Sequence, residues 1–386
     1  MAAELLVVVL LLLGVAVLLY QGLAILFAYQ MPRLDPADPT VRPTGSFAIV
    51  IPARDEVDEI AGTLASLRDQ DLPLTDVVVV DGGSTDGTRE EVARRAPPVR
   101  LIDEPPLPPG WIGKSWACWT GARATHGDWL IFLDADVRLE PAAVRTALAW
   151  AERERADLAS VATRMEMGSR WERIVIPFYV QMVLTHFRAP RVNRPGARAA
   201  MANGQFLLVR RSAYDALGGH EAIREQVVED VALAERFRAA GRRRRLTWGP
   251  RLAGTRMYRD RRSMAEGLLK TMHGTSYSRA RQVGRLVGLV GLFWLPLGLV
   301  PLGAALGSLP LVAMGSVLWV ALFGKHAAFA RATGAGAADG LLYPVAVGFY
   351  AALLLRSIAR GRPGGSVRWK GREYRLRPDE DAAAKR

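Results

Sequence analysis

The sequence predicts an α/β fold with a mostly parallel sheet, set between apolar segments that reach membrane-spanning length. Three observations carry this. Short apolar runs alternate with helix-patterned stretches from Phe47 to about Trp248, two of those runs end on aspartates, and uncharged stretches flank the alternating region on both sides. With 386 residues the chain can bury a full core, as one large domain or two smaller ones.

The first element is LLVVVLLLLGVAVLLYQGLAILFA, residues 5–28, which carries no charge and is long enough to cross about 30 Å of hydrocarbon. No Lys or Arg precedes it and the apolar run is too long for a secretory signal, so residues 1–30 are expected to be a retained transmembrane anchor. A linker containing Pro and Asp, 31–46, follows. Residues 47–283 are expected to form the α/β domain. FAIVIPA (47–53) reads as a buried strand, and DEIAGTLASLRDQ (58–70) as an amphipathic helix with Ile60, Leu64 and Leu67 on one face. VVVV (77–80) is the next strand, GTREEVARRA a helix, VRLIDE a strand, SWACWTGARATHG a helix, and WLIFLDAD (129–136) a strand ending on acids. Such repetition makes a mostly parallel sheet covered on both faces, with ligands beyond the carboxyl ends of its strands.

After residue 284 the chain turns apolar again, at 286–305, 309–323 and 338–355. The second run is short for a span, and the third is interrupted by Pro344 and Gly348. Residues 284–356 are therefore expected to be transmembrane or re-entrant, and 357–386 a basic cytoplasmic tail. The α/β region is basic as well, so both belong on the cytoplasmic side, whereas three full crossings would separate them. One stretch, 309–323 or its flank, is expected to be re-entrant or interfacial. RWERIVIPFYVQMVLTHF (170–187) has two readings, an interfacial segment that presents a lipid or a domain-core helix. His186 and His273 are isolated and read as ordinary.

The net charge of +13 is compatible with nucleic acid, anionic lipid or phosphorylated substrates, but no nucleic-acid motif accompanies it. Arg242 to Arg245 read as a solvated or membrane-facing patch. Cys118 is the single cysteine, which excludes an intrachain disulfide and a cysteine-built zinc site.

Three acidic clusters invite a chemical reading. VVVVDGGSTDGT (77–88) ends a buried strand on Asp81, and Gly82, Gly83 and Gly87 let the backbone turn tightly near a ligand. Asp81 is either a hydrogen-bond acceptor for a ribose or base, or simply a turn residue. FLDADV places Asp134 and Asp136 at another strand end, offering hard oxygens to Mg²⁺ or Mn²⁺. Glu229-Asp230 stands in apolar company, which raises carboxylate pKa values and suits a general base; the alternative is a helix start favouring acids for its dipole.

VIPARDE (50–56), VVVVDGGSTDGT (77–88), GKSWACWTGARATHGDWLIFLDADV (113–137), ANGQFLLVRRSAYDALGGH (202–220) and VVEDVALAERFRAAG (227–241), in that order, resemble the family-2 glycosyltransferases of the GT-A fold, a Rossmann-like, mostly parallel sheet. The apolar flanks and the tail VRWKGREYRLRP make the chain similar to the membrane-bound branch that includes hopene-associated and carotenoid glycosyltransferases. The resemblance implies an inverting hexosyl transfer from a nucleotide-sugar, expected to be UDP-linked, to a hydroxyl of a membrane lipid. That lipid would be of isoprenoid, hopanoid, carotenoid or glycolipid type. It further implies donor contacts from Pro52, Ala53, Arg54, Glu56, Asp81, Lys114, Asp134, Asn203, Gly204 and Gln205. Mg²⁺ or Mn²⁺ would sit at Asp136 with Asp134. Asp230 would deprotonate the acceptor, with Glu229 beside it. The family often has two acids where this chain has Asp81-Gly82.

Processive synthases of the family carry Q-x-x-R-W, which is absent here; the nearest match is RMYRD (256–260). Arg256 and Arg259 would share a helix face and either hold the leaving diphosphate or bind anionic lipid. The implied partners are a nucleotide-sugar, a membrane lipid acceptor and the bilayer, with no nucleic acid. The implied location is the cell (inner) membrane, multi-pass, with the catalytic domain cytoplasmic. Two other functions remain open, a processive polysaccharide synthase and a non-catalytic membrane module that binds nucleotide-sugars.

Overall fold

The computed structural model describes residues 2–28, 30–95, 99–275, 279–360, 366–369 and 372–375. The chain divides into an α/β unit, 31–166 with 186–257, and a helical unit, 1–30 with 167–185 and 258–386. The expected boundary at 283 does not coincide with this division, because 167–185 and 258–283 group with the helices.

The α/β unit is built on seven strands: β1 (Phe47–Ala53), β2 (Val77–Asp81), β3 (Val99–Asp103), β4 (Trp129–Leu133), β6 (Leu158–Ala162), β8 (Phe206–Arg210) and β9 (Arg244–Trp248). Their order is β3-β2-β1-β4-β8-β6-β9. Only β8 runs against its neighbours, pairing antiparallel with β4 and β6. Three short strands, β5 (Val137–Leu139), β7 (Arg164–Met165) and β10 (Ala253–Thr255), form a second sheet. The Val-rich runs are buried on both faces. Ile49, Ile51, Val77 and Val79 enter one apolar layer, and Val50, Val78 and Val80 the other, as the two-residue period of a strand dictates.

Helices α2 (Val57–Arg68), α3 (Thr88–Ala93), α4 (Gly113–Arg123), α5 (Ala143–Arg153), α7 (Arg211–Ala216) and α8 (Glu229–Ala239) complete this unit. Helix α4 lies so close to the sheet that a Cβ on Gly121 would come within 2.3 Å of Val50 Cγ1. The glycine thus sets how near the start of α4, and Lys114 upon it, comes to the strand tips.

Two expectations change here. The linker 31–46 is a packed strap: Leu34 is buried and its N–H donates to the Trp248 carbonyl, whose own N–H donates to the Pro32 carbonyl, and the buried Arg145 donates to the carbonyls of Ala37, Asp38 and Val41 while pairing with Asp71 at 2.8 Å. The Arg242–Arg245 run is not a solvated patch throughout, because its second half opens β9. There Arg244 is buried against the Ala199 carbonyl, and Arg245 bonds to Glu154 at 2.8 Å.

The helical unit holds α1 (Ala2–Ala28), α6 (Arg170–His186), α9 (Arg261–Thr275), α10 (Arg279–Leu289), a π-helical turn (Val290–Trp294), α11 (Leu295–Ala305), α12 (Leu309–Ala332), α13 (Ala337–Gly340) and α14 (Tyr343–Arg360). Among the described residues, three helical stretches are long and apolar enough to cross a membrane: Glu4–Phe27, Ala280–Ala305 and Leu309–Ala332. The run at 309–323 therefore does not end short. It continues past Lys325, whose ammonium is buried and donates to Gln21 Oε1, while Gln21 Nε2 donates to the Leu292 carbonyl at 3.1 Å. Helix α6 belongs with these helices, where Phe178 meets Phe293 edge-on at 5.2 Å, and not with the α/β core. The His186 ring rests on Phe187, and the His273 side chain lies outside the described residues. The tail contributes a two-stranded hairpin, Ser366–Trp369 with Arg372–Arg375; the rest of it, beyond Arg360, is outside the described residues.

Candidate active site

The carboxyl ends of β1, β2 and β3 face one edge of the sheet, and two loops there are zipped together. The Asp55 N–H donates to Ser84 Oγ at 2.9 Å, the Thr85 N–H to Asp55 Oδ1 at 2.9 Å, the Glu56 N–H to Thr88 Oγ1 at 2.8 Å, and the Val57 N–H to Asp86 Oδ2 at 3.0 Å. Asp55 adopts a φ of 51°, a left-handed conformation uncommon outside glycine and fixed here by these bonds. Pro52 and Ala53 end β1 beside Val80 and Asp81 of β2, and Arg54 donates to the Gly82 carbonyl. Asp81 itself is buried. Its carboxylate accepts from the N–H groups of Gly83 and Ser84 at 3.1 Å, from Ser84 Oγ at 2.5 Å and from Arg89 at 3.1 Å. Of the two readings of this acid, the geometry displays the turn-holding one.

The next strand tip carries charge into the site. Asp134 follows β4, its N–H held by the Gln205 carbonyl at 3.1 Å, and Asp136 lies two residues on, before β5. Lys114, in the first turn of α4, places its ammonium 2.7 Å from Asp134 Oδ1 and 2.7 Å from Glu229 Oε1. Burial alone would lower the Lys114 pKa, but the carboxylates of Asp134 and Glu229 outweigh it and hold the ammonium well above its usual range. Cys118, one helical turn further, is buried, and burial pushes its thiol up, which makes it an inert packing residue.

Opposite these, Asn203-Gly204-Gln205 lead into β8 as a bonded unit. Asn203 Nδ2 donates to Gln205 Oε1 at 2.9 Å, the Gln205 N–H donates to Asn203 Oδ1 at 2.9 Å, and Thr163 Oγ1 adds 2.7 Å to Gln205 Oε1. The Gly204 N–H donates to Asp230 Oδ2 at 2.8 Å. Asp230 is the second residue of α8, and burial together with the neighbouring Glu229 charge pushes its pKa up to about 6. Lys114, Asp134, Glu229, Asp230 and the 203–205 segment are thus one bonded constellation at the sheet edge.

Arg256 and Arg259 do not share a helix face. They lie in the non-helical segment between β10 and α9, and they fall in different units of the chain. One residue given no role from sequence alone is His220. It is buried, its Nδ1 lies 2.8 Å from the Tyr214 hydroxyl, its ring meets Phe132 edge-on at 4.8 Å, and burial drives its pKa down to about 4. The Gly218-Gly219 pair before it was the available signal. Gly219 has a φ of 46°, and a Cβ there would come within 2.4 Å of the Tyr214 ring.

A divalent ion fits the acid pair only as an open site. Asp134 and Asp136 supply hard oxygens, and among the described residues no group of three or more His, Cys, Asp or Glu side chains could hold a metal. Such a donor set suits an ion that keeps waters and phosphate oxygens as its remaining ligands.

Comparison with known proteins agrees with this fold. A sequence model of the glycosyl transferase family 2 matches residues 48–218. The 4,4'-diaponeurosporenoate glycosyltransferase of Staphylococcus haemolyticus is 28% identical over 196 residues, covering 50% of this chain and 52% of that protein. The chain thus spans about half the length of that relative. The enzyme of the same name from Staphylococcus aureus is 25% identical over 345 residues, covering 87% of this chain and 90% of the relative. Among solved structures, the mannosyltransferase PcManGT from Pyrobaculum calidifontis, in complex with GDP-Man and Mn²⁺, superposes with a TM-score of 0.53 at 20% identity, over 87% of this chain and 98% of that one. That likeness shows the GT-A fold. Residues 48–218 are accordingly a domain that matches the glycosyl transferase family 2 model, on the GT-A fold.

Proposed function

We propose that the protein transfers a sugar, with inversion, from a nucleotide-sugar to a hydroxyl of a membrane lipid. The observation that carries this is the Lys114 ammonium held between Asp134 and Glu229, with Asp230 next in the chain anchored on Gly204. One ligand bridging these groups would meet a cation and a metal-competent acid pair at its diphosphate end, and a carboxylate of raised pKa at its reacting end.

In this reading Pro52, Ala53, Arg54, Glu56 and Asp81 shape the nucleoside end, through the zipped loops. Lys114 neutralises charge near the diphosphate, as an ammonium that stays protonated throughout the neutral range. Asp134 and Asp136 would hold Mg²⁺ or Mn²⁺, which when bound stabilises negative charge on the leaving diphosphate. Asn203, Gly204 and Gln205 form the floor under the sugar. Asp230 takes the proton of the acceptor hydroxyl, whose oxygen then attacks the anomeric carbon from the face opposite the diphosphate; Glu229 keeps that base from ionising too early. Preorganised charge of this kind is worth on the order of 10²–10³ in rate for each group.

The acceptor class follows from the helices long and apolar enough to cross a membrane and from the relatives, whose shared name describes glycosyl transfer to a diaponeurosporenoate. The protein sits in the cell membrane as a multi-pass protein with its basic α/β unit on the cytoplasmic side, and uses a UDP-sugar. The relatives' substrate is named as a carboxylate, which favours a second reading: an acceptor already ionised at neutral pH, for which Asp230 would orient the nucleophile without taking a proton.

The test is to incubate membranes containing the protein with labelled UDP- and GDP-sugars and to weigh the extracted lipids. A lipid gaining one sugar supports the proposal. A growing polymer would replace it with a processive synthase, and nucleotide-sugar binding without any product would replace it with a binding module.

A further inference from the structure

The nucleoside end of the site contains an acid, Glu104, that no motif or spacing singles out. Asp81 was the expected acceptor there, yet both its oxygens face its own loop and Arg89. The space above Gly82 is taken instead by Glu104. A Cβ built on Gly82 would stand 2.8 Å from Glu104 Oε2, and 3.4 Å from both the Ala53 carbonyl oxygen and Arg54 Cβ.

Three facts make this an arrangement and not a coincidence of side-chain placement. Glu104 is the first residue past β3, and its N–H donates to the Asp81 carbonyl at 2.9 Å, which extends the β2–β3 ladder by one step and fixes where the side chain begins. Gly82 does not need to be glycine for its backbone: Gly83 and Gly87 have φ of 78° and 103°, whereas Gly82 is outside the positive-φ set. Its missing side chain is explained by room for the Glu104 carboxylate. Finally, the field that acts on buried Cys118 comes from Lys114, Glu229, Asp134 and Glu104 together, so the acid stands within electrostatic reach of the same thiol as the Lys114 bridge.

We propose that Glu104, admitted by Gly82, is the carboxylate that accepts hydrogen bonds from the donor's nucleoside, from its ribose hydroxyls or its base N–H. An ionised carboxylate is an acceptor only, so it selects for such groups and against the diphosphate, and this assigns it to the nucleoside end. The inference rests on the reading of the site as a nucleotide-sugar site.

The experiment uses the full-length protein in nanodiscs and measures Kd by calorimetry for UDP, GDP, 2'-deoxy-UDP and N3-methyl-UDP. Glu104→Ala should weaken UDP or GDP about 10- to 100-fold, the scale of lost hydrogen bonds to a charged group. In that variant the analogue lacking the contacted group should bind as UDP does, whereas wild type should discriminate against it. Glu104→Gln, which preserves shape, should lose less, and Gly82→Asp combined with Glu104→Ala should recover part of the loss, because the new side chain enters the vacated space. Unchanged nucleotide affinity in both Glu104 variants would overturn the inference and leave the proposed function standing. A wild-type protein that binds neither UDP nor GDP would overturn both.

Discussion

Asp230 receives two backbone N–H groups, from Gly204 on Oδ2 and from Val231 on Oδ1, each at 2.8 Å. The first comes from the strand side of the site and the second from the helix that carries the acid. The carboxylate is therefore oriented by backbone alone, while burial and the Glu229 charge oppose its ionisation. A carboxylate placed this way suits the proposed role of base, with fixed geometry and a pKa close to neutral.

Asp230→Asn should cut transfer to a hydroxyl acceptor by 10²–10⁴, the usual contribution of a general base, with donor Kd within a few-fold of wild type. A loss under tenfold, measured by lipid product per unit time, points to an acceptor that arrives ionised.

The same acid sets a pH profile. With Asp230 in its proposed role of base, the deprotonated form is the active one, so the rate should rise with pH through about 6 and level above it. Stability runs the other way. With a folded pKa above the unfolded value, the folded state binds more protons between about 4 and 6, so stability falls as pH rises through that window. Asp230→Asn should accordingly melt higher than wild type at pH 7.5, by a few degrees.

Lys114→Met leaves Asp134 and Glu229 without their shared cation. Glu229 is buried and Asp134 partly so, and stranding such charges costs roughly 3–5 kcal/mol when burial is complete, less here because the lysine is 29% exposed. The variant should melt lower and bind UDP more weakly, both read by thermal shift with and without nucleotide.

Gly204→Ala probes the floor. The added Cβ would stand 3.2 Å from Asp230 Cβ and 3.3 Å from Oδ2, closer than ordinary packing. The base must shift by a few tenths of an ångström, and turnover should fall about tenfold with little change in melting temperature. Equal losses in turnover and stability would show that the segment only supports the fold.

His220 is held neutral against Tyr214 and Phe132, with its pKa driven from 6.5 down to about 4 by burial. The unfolded chain binds the proton first as pH drops, so stability should be lost between about pH 6.5 and 4. In His220→Gln that slope should flatten, as urea midpoints at pH 7 and pH 4.5 would reveal.

Much of this site was legible because its chemistry sits where apolar runs stop: Asp81, Asp134 and Glu229-Asp230 each adjoin a strand tip or helix start. What stayed hidden has a physical reason in each case. β6, β8 and β9 pair across long gaps in sequence, and β9 was masked by arginines whose charge is satisfied by Glu154 and by the Ala199 carbonyl. The strap at 31–46 lacks periodicity because Arg145 bonds its backbone, not its side chains. Helix α12 seemed to end at Lys325 because a cation reads as a stop until its partner, some 300 residues away in Gln21, is seen. Glu104 could not be found from spacing, since its meaning depends on the empty place above Gly82.

Gln21 has a consequence for how the apolar helices come together. Its one amide joins α1 to Lys325 of α12 and to the Leu292 carbonyl inside the π-helical turn. A buried polar group left without a partner costs roughly 1–3 kcal/mol, and a buried charge more. The first helix is thus no generic tether, exchangeable for any foreign hydrophobic segment: a replacement without an amide at that position would leave the buried Lys325 ammonium without its Gln21 acceptor, and the two later helices would lose the clasp that gathers them.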